Sequence, residues 1–348
     1  MSGSSPPTVG RAVDWQFAGT VGAKLTRPGP PATEYTRRQA IDELARASRT
    51  AEGPVRDVTG MSADAPVPDA RIVDRREWVM AASDSMRVMT GGSDGPANLV
   101  TGRVAGAQTG AVLAFVSAGI LGQYDPFAGP DGGCLLLVYP NVIAVERQLR
   151  VAPSDFRLWV CLHEVTHRVQ FTANPWLSGY MSQTLSGLIT DRSDEFSQVA
   201  ARLAQHLRDR RTLDPEPNTT GVLGFLRAVQ SEPQREALDR LLVLGTLLEG
   251  HADHVMDAVG PAVVPSVHLI RSRFDDRRQR KQPPLQRVLR ALLGVDAKIS
   301  QYTRGKAFVD YVVGRVGMAR FNTVWSGPET LPLPAEIEKP QQWIDRVL

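Results

Sequence analysis

Cysteine is scarce in this chain, which has 2 in 348 residues, Cys134 and Cys161. At most one disulfide can form, so a cysteine-stapled framework is excluded and a cytoplasmic setting is expected. Excess charge of one sign is scarce too. Forty Lys and Arg against thirty-seven Asp and Glu leave +3, too little to argue for nucleic acid despite an isoelectric point near 9.0. The first ten residues have neither a basic segment nor an apolar core, so no secretory leader is expected. The most apolar stretch, Ala111 to Gly122, falls short of the roughly 20 residues a spanning helix needs. No transmembrane segment is expected, and the small residues there suit close helix packing. Repeats, coiled-coil heptads and nucleotide-binding glycine loops are also missing.

What remains is the composition of a globular protein, 42% hydrophobic and 22% charged, with length for one large or two ordinary domains. Residues 1–12 are expected to be disordered and 13–348 to form one large, mostly helical domain. The candidate internal division is an N-terminal helical subdomain ending near residue 130. Thr33 is placed to cap a helix, and Asp74 with Glu77 three residues on forms a capping box. Residues 50–68 read as a connection. Gly133 to Tyr139 reads as the one strand, and Gln123 to Phe127 as a loop. Helices are expected over 177–207, over 233–259 with Gly260-Pro261 ending it, and twice between Pro284 and Gly317. Trp343 is the expected docking residue of the tail. The fold class is therefore mainly α with a small β element.

Chemistry concentrates in Trp159 to Phe171, which contains His163-Glu164-Val165-Thr166-His167. Two imidazoles four residues apart lie one turn apart on one helix face and can hold one zinc ion. Glu164 emerges beside the pair, where a carboxylate can serve as general base. A catalytic zinc takes a third protein ligand. Asp191, Asp194 and Glu195 are candidates, but their neighbours are polar. Glu249 is favoured, because it ends the apolar run Leu241–Leu248, where a carboxylate without a partner is costly. Asp253, one turn later, is placed to accept a hydrogen bond from the outer nitrogen of a ligand histidine. His251 and His254 project off that face and read as ordinary helix histidines. His268, Tyr302 and Tyr311 are candidate oxyanion donors. The basic run from Arg271 to Arg290 reads as a solvated surface.

His163 to His167 with Glu249-Gly-His-Ala-Asp253 resembles the gluzincin branch of zincin metallopeptidases, His251 standing where an aromatic is usual. The resemblance implies a zincin-like core, zinc as cofactor, His163, His167 and Glu249 as ligands, Glu164 as base and Asp253 behind a histidine. The interval between His167 and Glu249 is wider than in that branch. Gly122-Gln-Tyr-Asp125, Val138-Tyr-Pro-Asn141, Trp159 to His167, Pro175-Trp-Leu177, Glu249 to Asp257 and Pro340 to Arg346 resemble, more closely, a zinc-dependent metalloprotease-like family common in actinobacteria. Its members are often labelled as associated with biosynthesis of a deazaflavin coenzyme, and the resemblance spans about Val13 to Leu348. The leading expectation is zinc-assisted hydrolysis of a peptide or small amide, with Glu164 moving the proton. A zinc-stabilised binding or structural protein, and a hydrolase of non-peptide amides or esters, are the alternatives.

Overall fold

A computed structural model describes residues 9–62, 67–92, 95–96, 98–129, 133–190, 232–279 and 295–348. The chain divides into two compact units, residues 1–182 with 252–278 and residues 183–251 with 279–348. The boundaries fall after Ser182, between His251 and Ala252 of one long helix, and after Arg278.

The first unit opens with a single 3-10 turn, Val9–Ala12, which Trp15 ties down by donating its indole N–H to Gly10 O at 2.8 Å. Helix α1 (Trp15–Leu25) starts where Asp14 caps the amide of Phe17. Helix α2 (Glu34–Thr50) starts at Thr33, as its capping chemistry predicts. Helix α3 (Glu52–Thr59) occupies part of the segment expected to be only a connection. Its capping side chain is missing, and Arg56 and Arg168 hold it through Glu52. Asp74 and Glu77 form the complete capping box of α4 (Arg75–Met89). Helix α5 (Leu99–Ser117) is, by length and composition, long and apolar enough to cross a membrane. It buries Gly102, Gly106 and Gly110, its small-residue face, in packing closely with α1.

The expected strand appears as β3 (Cys134–Val138), and two further strands flank it. β1 (Arg71–Val73) pairs parallel, with Ile72 opposite Leu137, and β2 (Gly122–Asp125) pairs antiparallel, with Gly122 opposite Leu137. The order β1-β3-β2 leaves β2 at an edge among the described residues. Val73, Leu136 and Val138 join Trp78, Val79, Ala82 and Leu113 in one apolar cluster, so the sheet is glued to α4 and α5. Chain direction then reverses through α6 (Tyr139–Leu149), with Pro140 in its first turn and Arg150 in the left-handed region at its end. After it come α7 (Pro153–Ala173), α8 (Trp176–Thr190), the 28-residue α9 (Glu232–Val259) and α10 (Val267–Gln279).

Within the second unit, Gly250 of α9 meets Gly305 of α11 (Val295–Val316) backbone to backbone. A Cβ at Gly250 would sit 2.1 Å from the Gly305 carbonyl carbon. The tail closes this unit: Trp343 is fully buried, edge-on to Phe308, and Arg346 grips Glu336 in a fork at 2.7 and 2.8 Å. Trp343 thus sits where a docking residue was expected. Residues 191–207 and 284–294, where helices were expected, lie outside the described residues.

Candidate metal centre

Helix α7 is largely enclosed within the first unit. Pro153 starts it, and Asp155 in its first turn accepts from both the amide and the hydroxyl of Ser266, at 3.0 and 2.6 Å. Arg157, 3% exposed, pairs with Glu146 at 2.8 Å and with Glu43. Arg168 pairs with Glu52 at 2.6 Å. Trp159 packs against Phe156 and Phe274, with the Arg271 guanidinium 5.6 Å from its ring centre. From Trp159 to Gln170 every residue is buried except His163 and His167. Within that stretch the histidine stripe alone is more than slightly exposed.

The two rings stand at 88° to each other with Nε2 facing Nε2 at 3.2 Å. Each ring is held from behind. His167 Nδ1 lies 2.9 Å from Gln170 Oε1, and His163 Nδ1 lies 3.3 Å from Met256 Sδ on α9. Amide oxygen and thioether sulfur are acceptors, so both contacts favour the proton on Nδ1 and a lone pair on each inward Nε2. Two facing lone pairs repel unless a cation lies between them. Two nitrogens on a tetrahedral zinc, at ordinary Zn–N lengths, stand about 3.4 Å apart. The observed spacing fits that demand.

Glu249 is carried by α9, one turn before Asp253 and two before Met256. One carboxylate oxygen of Glu249 and one ring nitrogen of each histidine all lie within 4.8 Å of one another. Two imidazoles and a carboxylate are a zinc-type donor set. Glu164 is 7% exposed, and the nearest backbone is the edge strand: a Cβ on Gly122 would sit 2.6 Å from Glu164 Cγ. Only a glycine lets β2 approach this side chain so closely.

Asp253 requires correction. Its carboxylate is taken by Arg271 at 3.0 Å, and Arg271 also binds Asp257 at 2.5 Å. These carboxylates hold the Arg271 pKa above its ordinary value, against the desolvation that would lower it. The support expected from Asp253 comes instead from Gln170 and Met256, which sequence reasoning missed. Gln170 was open to discovery, three residues after His167 on the same helix. Nothing local signalled Met256.

His251 is fully buried between Phe321 and Trp325, and His254 is half-buried. His268 is exposed, and Tyr311 donates to Gln341 at 3.1 Å in the second unit. The side chain of Tyr302 and all of Asp191, Asp194 and Glu195 lie outside the described residues. Two members of the basic run serve structure. Arg271 holds the acids of α9, and Arg273 donates to the carbonyls of Leu149 and Arg150 at 2.7 and 2.6 Å.

A helix-borne histidine pair and a carboxylate from a second helix are a group that could hold a metal ion. The chain belongs to the family described as zincin-like metallopeptidases, whose model matches residues 13–344. Membership implies a metal, typically zinc, and hydrolytic chemistry. A solved structure from Chloroflexus aurantiacus, described as a candidate hydrolase with a novel fold, is 30% identical with a TM-score of 0.65. The match covers 96% of this chain and 98% of that one. No curated protein matches.

Proposed function

We propose that the protein is a zinc metallopeptidase in which His163, His167 and Glu249 hold the metal and Glu164 is the general base. The observation that carries this reading is the facing Nε2 pair at 3.2 Å, with a Glu249 oxygen within 4.8 Å of the ring nitrogens. Zinc, when bound, supplies a positive centre that acidifies water and polarises a carbonyl. Glu164 takes the proton of the attacking water at its carboxylate and returns it to the departing amine nitrogen. Its burial keeps that carboxylate out of bulk water, and Gln170 and Met256 hold the rings in the tautomer that presents Nε2.

A peptide substrate is favoured by β2. As an edge strand with Gly122 against Glu164, it offers main-chain groups to an extended segment beside the base. The solvent contact of both histidines favours an open catalytic site over a closed structural one. A cytoplasmic location fits two thiols left free. The link to deazaflavin coenzyme biosynthesis belongs to the same reading and assigns no reaction.

The test is a fluorogenic peptide library against zinc-loaded protein, with Glu164→Gln as control. Wild type should cleave, and the variant should lose about 10²–10⁴-fold in rate while keeping its zinc. Full hydrolysis by Glu164→Gln would remove Glu164 from the mechanism.

A further inference from the structure

A cavity of about 320 Å³ opens in the first unit between the Thr26–Ala32 loop, the start of α4 and the start of α6. It shares no residue with the histidine centre. Four arginines line it, Arg27, Arg37, Arg75 and Arg76, against one carboxylate, Asp74. That carboxylate is already engaged, since Asp74 Oδ1 accepts from the amides of Arg76 and Glu77 at 2.7 and 2.9 Å.

Arginines elsewhere in the chain find acids, as Arg157, Arg168, Arg271 and Arg346 do. Among the described residues, none of the four in this cavity makes an ion pair. Arg75 is the most constrained. Asn141, 1% exposed, donates its amide to Ser117 O and Ile120 O at 2.7 and 2.5 Å. Its Oδ1 is thereby turned to receive Arg75 Nε at 2.6 Å. Arg75 Nη1 holds the carbonyls of Arg27 and Pro28 at 3.1 and 2.8 Å. Among the described residues nothing accepts from Nη2, whose N–H groups are left for a ligand. Burial without a counter-charge lowers the Arg75 pKa, which an arriving anion would reverse. The opposite wall is apolar, made by the proline-rich loop and the half-buried ring of Tyr139.

We propose that this cavity binds a small organic oxyanion, a phosphate ester or a carboxylate on an apolar or aromatic body. Arg75 Nη2 is the inner anchor. Arg37 and Arg76 close over the charged head from the solvent side, and the body lies against Tyr139 and the prolines. Planar guanidiniums suit oxyanion heads because they donate in parallel pairs.

Calorimetric titration of the full chain with phenyl phosphate and with benzoate, on protein stripped of metal and then dialysed free of chelator, tests this. Saturable one-to-one binding is expected, with a dissociation constant of about 1 mM or below. The tighter probe by about tenfold assigns the head as phosphate or carboxylate. The double variant Arg37→Gln/Arg76→Gln alters two exposed side chains that make no side-chain hydrogen bond or ion pair among the described residues. It should keep the wild-type melting temperature and weaken binding at least about tenfold. Arg75→Gln should abolish binding, and His163→Ala should leave it unchanged. Failure of both probes to saturate, or wild-type affinity in the double variant, would overturn the assignment.

Discussion

Replacing Gln170 with leucine tests what holds the ring of His167. Gln170 is fully buried, and its Oε1 lies 2.9 Å from His167 Nδ1. Leucine has nearly the same bulk, so the core keeps most of its packing while the acceptor facing Nδ1 is lost, together with the amide's own N–H donors. Two things then change: Nδ1–H loses the bond that fixes its tautomer, and the ring loses the anchor that points Nε2 at its partner. Removing such a supporting group costs about 10–100-fold in metal affinity, or about 1.4–2.7 kcal/mol. Burial places the effect toward the upper end, because water cannot readily replace the amide oxygen. Competition with a chromophoric chelator at fixed pH measures it, with circular dichroism confirming the fold. Gln170→Glu supplies a stronger acceptor and should bind zinc at least as tightly as wild type. An affinity within about twofold of wild type for Gln170→Leu would refute the argument.

Gly122→Ala should cost activity more than stability. The new Cβ would stand 2.6 Å from Glu164 Cγ and 2.8 Å from its Cδ, so the Glu164 carboxylate must move about 1 Å; under the proposed role that is enough for about 10²-fold in turnover. Zinc content should not change, and steady-state assay beside metal analysis checks both. Arg157→Met removes the partner of Glu146, itself 5% exposed, and should destabilise by about 3–5 kcal/mol in denaturant titration. Burial alone would raise the Glu336 pKa, but the forked hydrogen bonds from Arg346 outweigh it and hold the carboxyl below its ordinary value. The stability this adds is complete above the unfolded glutamate pKa of about 4.3 and is lost as pH falls through the lower folded value. Melting curves from neutral to acid pH should show that loss in wild type and a smaller one in Arg346→Met.

Local chemistry was legible, and long-range pairing was not. The Asp74–Glu77 box, the Thr33 cap and the Gly260-Pro261 stop each depend on a few neighbouring residues, and each ends or starts a helix as read. β1 and β2 span 3 and 4 residues, too short for a period, and exist as strands only because β3 lies between them. The histidine pair could be read because helix periodicity joins it. Glu249 could be nominated because a carboxylate ends an apolar run. Asp253 was given the wrong partner because Arg271 folds back from the next helix, and no spacing rule foresees that. Met256 reaches His163 across 93 residues, a contact made by packing.

The central claim is that two imidazoles and a distant carboxylate close one metal centre. Elemental analysis of the purified protein, with X-ray absorption on the bound metal, tests it directly. The account predicts one zinc per chain with two histidine nitrogens and carboxylate oxygen around it, and a sharp loss of affinity in His163→Ala, His167→Ala and Glu249→Ala. A protein that takes up no zinc, or holds it equally well without Glu249, would contradict it.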